Sequence, residues 1–362
     1  MTDFRHYLSG VKKQKKRRSW KTRELFLAAV FFFLSPLPLR GEEIALSLNE
    51  SIALALRENR SILLKAHEIK KAQENIAQAR GGFFPSVTAL ATYSQTKEYF
   101  EKDLTQTAAQ ASVKQYLYTG GKTFNTYHQN QSDFDAAEAA LEKTKAEVIF
   151  EVKKAFYSLL LTNEFVQLNK QILDNTQQHL VYSEVLYHNG RTDELELLRI
   201  KEAFNSVEEA YQESVHQSEA LQALLCNLLF IDEKTLIKPE GEFVYDPQIL
   251  KYEEGVLKAL KQRPEMMEFD ALEQSDEYAI EISKSGNRPS VYASWDYYAR
   301  SHLSGSTTGN WNDYSVIGVT MTWPVFDGWA TKAKVEEAIL DLKQTQLSRE
   351  KFIKDMAVEL KG

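Results

Sequence analysis

Two copies of one module lie in this sequence, and a duplication confines the chain to folds in which the same local structure is made twice. Gly81-Gly82-Phe83-Phe84-Pro85-Ser86-Val87-Thr88-Ala89 aligns with Ser285-Gly286-Asn287-Arg288-Pro289-Ser290-Val291-Tyr292-Ala293 at an offset of 204, sharing Gly, Pro, Ser, Val and Ala. The same offset pairs Tyr93 with Tyr297 and Ala55-Leu56 with Ala259-Leu260. Further on, Leu117-Tyr118-Thr119-Gly120-Gly121 matches Val325-Phe326-Asp327-Gly328-Trp329 at 208. A drift of four residues is what a hairpin loop of different length produces, because surface loops absorb insertions cheaply. Each copy therefore reads as helix, turn at Pro85 or Pro289, strand, loop, strand, turn at Gly120-Gly121 or Gly328, and helix. The first repeat is expected over 42–250 and the second over 251–362.

The opening helix is expected at 48–80, with Asn49 as its N-cap and Gly81-Gly82 as its end. Its counterpart is expected near 254–285, where Arg263-Pro264 starts a fresh segment, since proline suits the first helical position. Strands follow at about 87–96 and 109–118, then at about 290–300 and 314–326, because apolar and polar residues alternate with a period of two. Val87, Ala89, Ala91 and Tyr93 form one apolar side; Ile317, Val319, Met321, Trp323 and Val325 form another. Polar loops are expected at 97–108 and 301–313.

Ten strand residues tilted near 45° climb roughly 23 Å, close to the apolar band of an outer-membrane barrel. Tyr93, Tyr116, Tyr118, Trp295, Tyr297, Ile317, Val319, Met321, Trp323 and Phe326 are the expected lipid-facing or girdle residues. Tyr298 and Trp311 add to the aromatic gathering near the strand ends. Four strands cannot close a barrel, since membrane barrels take at least about eight. Identical protomers must share one, and a trimer would supply twelve strands.

From Thr123 to Phe230 there is no proline and one glycine, Gly190. Leu197, Ile200, Phe204, Val207, Tyr211, Ser214, Ser218, Leu221, Leu225 and Leu228 advance by alternating steps of three and four, a coiled-coil seam. The preceding arm carries Ile149, Val152, Phe156 and Leu159, then Phe165, Leu168 and Ile172. A helix over 123–189 would be about 100 Å long, far beyond what a compact domain of this size needs. A helical hairpin over 123–230 is expected, turning at 187–195. Gly190 can take the left-handed cap, Thr192 can cap the next helix, and Asp193 with Glu194 suit its positive end.

The N-terminal 41 residues have the parts of an export signal: the basic flank Lys12, Lys13, Lys15, Lys16, Arg17 and Arg18, then an apolar core at 25–34 ended by Pro36 and Pro38. Ten of the 44 basic residues lie there, leaving 34 against 49 acids in the remainder, which argues against nucleic acid as a partner. The single Cys226 excludes an internal disulfide in the monomer. The seven histidines are scattered, and no phosphate-binding glycine loop or nucleophile motif is present, so no catalytic, metal or cofactor-binding residue is assigned and an enzyme is not expected.

The duplicated Phe-Phe-Pro-Ser-Val type turn, the Leu117 to Gly121 and Val325 to Trp329 turns and the Tyr187 to Leu195 tip together resemble the TolC family of outer-membrane efflux proteins. The resemblance implies an α+β membrane protein: long antiparallel coiled-coil hairpins and two β-hairpins contributed to a shared trimeric twelve-stranded barrel. It implies a homotrimer in the outer membrane, reaching into the periplasm and contacting lipid. It also implies passive export of small molecules or polypeptides in a tripartite efflux pump or type I secretion system. The family's hairpin tips meet a periplasmic adaptor linked to an inner-membrane transporter, which makes Tyr187, Asn189, Gly190, Arg191, Thr192, Asp193 and Leu195 the candidate docking residues. By the same spacing a second tip is expected near position 398, so the second repeat reads as incomplete at Gly362 and the gate cannot be assigned. The alternatives are a structural coiled-coil or adhesin-like envelope protein, or a nonfunctional truncated relative.

Overall fold

The computed structural model describes residues 43–99, 102–243, 251–304 and 311–361, and the export signal expected at 1–41 lies outside them. Strand β1 (Glu43–Ser47) leads into α1 (Leu48–Glu58) and α2 (Arg60–Gly81). Then come β2 (Ser86–Tyr99), β3 (Lys102–Tyr118), the 67-residue α3 (Lys122–His188) and α4 (Glu194–Leu229). The second half holds β4 (Leu236–Glu240), α5 (Tyr252–Gln262), α6 (Pro264–Lys284), β5 (Ser290–Ser304), β6 (Trp311–Thr322) and α7 (Ala330–Glu359).

The first helix is two helices, not the single one expected at 48–80. Ser47, not Asn49, is its cap, in a box in which the Ser47 hydroxyl accepts from the Glu50 amide and Glu50 accepts from the Ser47 amide. The break falls at Asn59 (φ −62°, ψ 127°), 204 residues before the matching break at Arg263 (φ −70°, ψ 128°). In the second repeat Pro264 forces its predecessor out of the helical region. In the first, Asn59 does this with its side chain: Oδ1 accepts from the Ser61 amide at 2.9 Å and Nδ2 donates to the Leu228 carbonyl at 2.9 Å.

The core lies around the middle of α3. Val152, Phe156 and Leu159 are buried there against Ala55 and Ile62, against Leu225, Cys226 and Leu229 at the end of α4, and against Ile237 of β4. Strand β4 pairs in parallel with β1 from Glu43↔Leu236 to Ser47↔Glu240, a small sheet with no counterpart in the expected elements. Each fully buried Leu or Phe contributes about 1.5–3 kcal/mol.

Helices α3 and α4 form the long antiparallel hairpin. All ten seam positions of α4 are buried or half-buried, and Ser218 donates to Asn163 Oδ1 at 2.8 Å across the pair. On α3 the buried stripe departs from the expected one. Beyond Leu159 the seam continues through Thr162, Val166, Asn169, Leu173, Thr176, Leu180 and Ser183, whereas Phe165, Leu168 and Ile172 are exposed. The helix carries two apolar stripes, and α4 covers the smaller, more polar one.

The four long strands form one antiparallel sheet in the order β2-β3-β5-β6, so the two repeats join through β3 and β5. The strands replace most of the loops expected at 97–108 and 301–313, because a ladder of backbone hydrogen bonds is indifferent to the Thr, Gln and Ser side chains that read as loop. Strand β6 instead stops at Thr322, short of the expected 326, since Pro324 has no N–H to offer the ladder.

The turns leaving the sheet are duplicated in conformation. Gly120 and Gly121 have φ +67° and +90°, and Gly328 and Trp329 have +68° and +71°. The Thr119 hydroxyl accepts from the Thr123 amide as α3 begins, and Asp327 accepts from the Thr331 amide as α7 begins.

Candidate functional site

Direct strand partners place their side chains on the same face of a sheet, so the register sorts the sheet into two faces. One carries the row Val87, Val113, Trp295, Ile317, with Ala89, Ala111 and Tyr297 on one side of it and Ala293, Val319 and Met321 on the other. Nothing covers this face: Val87, Tyr93, Ile317 and Val319 are 72%, 70%, 83% and 68% exposed. Every other position of the strands forms the opposite face, where Thr88, Ser112 and Asp296 make one row and Leu90, Gln110, Tyr298 and Tyr314 another. Gln110 donates to Asp296 Oδ1 and to the Tyr298 hydroxyl at 3.3 Å each, and Arg300 lies over the Tyr298 and Tyr314 rings.

Of the expected lipid-facing residues, Tyr93, Trp295, Tyr297, Ile317, Val319 and Met321 share the apolar face. Tyr116 does not. The alternation of β3 sets it two residues after Lys114, opposite Tyr292 on the polar face and beneath the Lys114 ammonium, whereas an irregularity between Tyr116 and Tyr118 brings Tyr118 opposite Val291 on the apolar side. Trp323 and Phe326 follow the end of β6, and Trp323 donates its indole N–H to the Asn287 carbonyl at 3.1 Å. The alternation along β5 marks Asp296 and Arg300 as its polar side, whereas Lys114 is not marked by the sequence pattern and is assigned to that face by the register.

Pro85 and Pro289 each stand one residue before a strand, β2 or β5. Below the sheet Arg288 ties the repeats together. Its guanidinium donates to the Gly120 carbonyl and to Glu281, both at 3.1 Å. Lys284 and Arg288 hold the Glu281 carboxyl below its usual range.

At the far end α3 closes with paired hydrogen bonds from Gly190 N–H to the Tyr187 carbonyl and from Arg191 N–H to the Leu186 carbonyl, both 2.9 Å. This is a Schellman cap, and the φ of +68° at Gly190 is the left-handed geometry it needs. Asp193, not Thr192, caps α4, accepting from the Glu196 amide at 2.8 Å. Tyr187, Asn189, Gly190, Arg191, Asp193 and Leu195 are exposed at this tip and Thr192 is half-buried.

A cavity of 660 Å³ lies between α2, α3 and α6, lined by Arg80, Tyr127, His128, Asp135 and Tyr278 among others, with His128 stacked on Tyr278. Among the described residues no group of three His, Cys, Asp or Glu side chains is placed to hold a metal. Burial pushes the Cys226 thiol up, which disfavours the reactive thiolate. No described helix is long and apolar enough to cross a membrane. Among the described residues, the broad apolar surface left uncovered is the sheet.

A sheet of this kind on an elongated helical stalk defines the class as an outer-membrane channel fold. Residues 51–226 match the family described as Outer membrane efflux protein. No curated protein sequence matches the chain. Among solved structures it is similar to a membrane protein from Pseudomonas aeruginosa, at 16% identity and a TM-score of 0.71, covering 85% of this chain and 73% of that one. It is also similar to the outer membrane protein VceC from Vibrio cholerae (16%, 0.69, 85% and 75%) and to the CmeC outer membrane channel of Campylobacter jejuni (17%, 0.69, 84% and 67%). The family match and the fold together support an efflux-type outer-membrane channel that reaches into the periplasm.

Proposed function

We propose that this chain is one protomer of a homotrimeric duct that conducts small molecules or polypeptides passively across the outer membrane. The observation that carries the reading is a sheet with one bare apolar face, one polar face and two unpaired edge strands, β2 and β6. Exposed edges and an uncovered apolar face are liabilities for a lone soluble chain. Closure with further copies removes both at once: the apolar face meets lipid, and the polar face that bears Gln110, Asp296 and Arg300 lines a wet interior. The exposed stripe of Phe165, Leu168 and Ile172 on α3 is likewise suited to another helix of the assembled tunnel.

The hairpin tip is the docking point for a periplasmic adaptor and, through it, an inner-membrane transporter. Tyr187, Asn189, Gly190, Arg191, Thr192, Asp193 and Leu195 present a rigid capped turn rather than a loose loop, which lowers the ordering cost of docking. Gly190→Ile, which opposes φ +68°, is expected to impair efflux while leaving export and trimer formation intact. Unchanged efflux in that variant removes the tip from the mechanism.

Outer-membrane fractionation followed by electrophoresis with and without boiling tests the whole reading. The expected result is an outer-membrane protein whose trimer band collapses to monomer on heating. A soluble or inner-membrane monomer overturns it.

A further inference from the structure

The duplication holds to the residue in strand register. Ser86 pairs with Lys114 between β2 and β3, and adding the sequence offsets of 204 and 208 gives Ser290 and Thr322, an observed pair between β5 and β6. One operation thus carries the first hairpin onto the second. The joint between repeats pairs Lys114 of β3 with Ser294 of β5, and Ser112 with Asp296. Applied once more, the operation sends β3 onto β6 and needs, beside it, a strand equivalent to β5. Within this chain β5 is equivalent to β2, but β2 lies at the opposite edge of the sheet.

We infer that β6 pairs with β2 of a second copy of this chain in a register dictated by the duplication, Thr320 facing Thr92 of the partner subunit and Val319 facing the partner's Tyr93. The inference rests on the proposal that copies share one barrel, and adds the register and the contacts of the seam. The faces agree: Thr320 and Thr92 both lie on the polar face, Val319 and Tyr93 both on the apolar one.

Below the sheet the same mapping replaces a polar joint with an aromatic one. Tyr118 opposite Val291 becomes Phe326 opposite Val87 of the partner subunit. Arg288, which reaches Gly120, becomes the partner's Phe84, set against Gly328. Phe84, Phe326 and Trp329 are 64%, 72% and 68% exposed, and nothing in the chain lies within 4 Å of where a Gly328 side chain would start. This accounts for three large aromatic residues left bare at one level of the molecule. Between the helices, the hydrogen bond from Ser275 to Asp133 at 2.6 Å maps to Asp341 against Lys71 of the partner subunit, a pair of opposite charges. The His128 and Tyr278 stack maps to Glu336 against the partner's Glu74, with the partner's Lys70 one turn away on the same helix.

Disulfide trapping in outer membranes tests the register. Of two successive antiparallel pairs one is the closer, non-hydrogen-bonded kind, so the double variants Thr320→Cys with Thr92→Cys and Val319→Cys with Tyr93→Cys cover both cases. At least one is expected to give about tenfold more intermolecular crosslink than the shifted pairs Thr320→Cys with Leu90→Cys or with Ser94→Cys, whose Cα separation exceeds disulfide reach. Crosslinking best at a shifted pair in an intact trimer overturns the register and leaves the shared barrel standing. Absence of any trimer overturns both. Charge reversal is an independent test that needs no cysteine: Lys71→Glu is expected to lower the temperature at which the trimer band dissociates, and adding Asp341→Lys to raise it again. No restoration in the double variant refutes the helical part of the seam.

Discussion

The two repeats adopt one backbone path with different chemistry at nearly every turn. The helix break is made by Asn59 in the first and imposed by Pro264 in the second. The long helix is capped by the Thr119 hydroxyl in the first and by the Asp327 carboxylate in the second. Two glycines hold the left-handed turn in the first, whereas in the second Trp329 takes φ +71° against its own preference. The shared features are the ones geometry demands. The residues differ because each copy answers to different neighbours.

The largest expected effect separates packing from backbone strain at the equivalent glycines. A side chain at Gly120 would start 2.7 Å from the Arg288 Cβ in addition to opposing φ +67°. Gly120→Val should therefore cost more than about 3 kcal/mol, strain and overpacking together. Gly328→Val meets no neighbour within the chain and should cost only the strain, about 1–2 kcal/mol. Denaturant melts of the two variants as dispersed protomers measure the difference, and equal losses would dissolve the contrast.

Next in size is the helix break. Asn59→Ala removes both a cap and a buried partner of the Leu228 carbonyl, and should cost about 2 kcal/mol. Pro264→Ala leaves Arg263 free to keep its conformation and should cost under about 1 kcal/mol. A loss at Pro264 as large as that at Asn59 would mean that proline does more than set the backbone.

Trp329→Gly should stabilise the dispersed protomer by about 1 kcal/mol by relieving the left-handed strain. Destabilisation there would show that the indole already contributes through Phe326, whose ring meets it edge-on at 5.9 Å.

The smallest effect is a pH dependence at the turn that opens the second repeat's long helix. The side-chain and amide hydrogen bonds from Thr331 hold the Asp327 carboxyl below its usual value. A group depressed on folding adds stability above its unfolded pKa, and that stability is lost as pH falls through the folded value. The acid limb of the melting curve should therefore shrink in Asp327→Thr, which copies the first repeat, while Thr119→Ala leaves its shape unchanged.

Local periodicity was readable without coordinates because it depends on neighbours two to four residues away. It located both strand hairpins, the α4 seam from Leu197 to Leu228, the fresh helix at Pro264 and the turn at Gly190. Where two readings of one helix competed, periodicity was insufficient: Phe165, Leu168 and Ile172 are the more apolar stripe of α3, yet α4 packs on the other. Tyr118 shows the same limit, since a single irregularity in β3 moves it from the face of Tyr116 to that of Val291.

The sequence by itself determined the duplication, the positions of the four long strands though not their full lengths, and the reach of the hairpin, because offsets, alternation and the absence of proline are properties of the chain alone. Only the tertiary structure decided that β3 joins β5, that β1 finds β4, and that Arg288 bridges to Gly120. Those contacts join residues about 170 to 200 positions apart, and no local preference favours one such closure over its rivals until burial and hydrogen bonding are satisfied together.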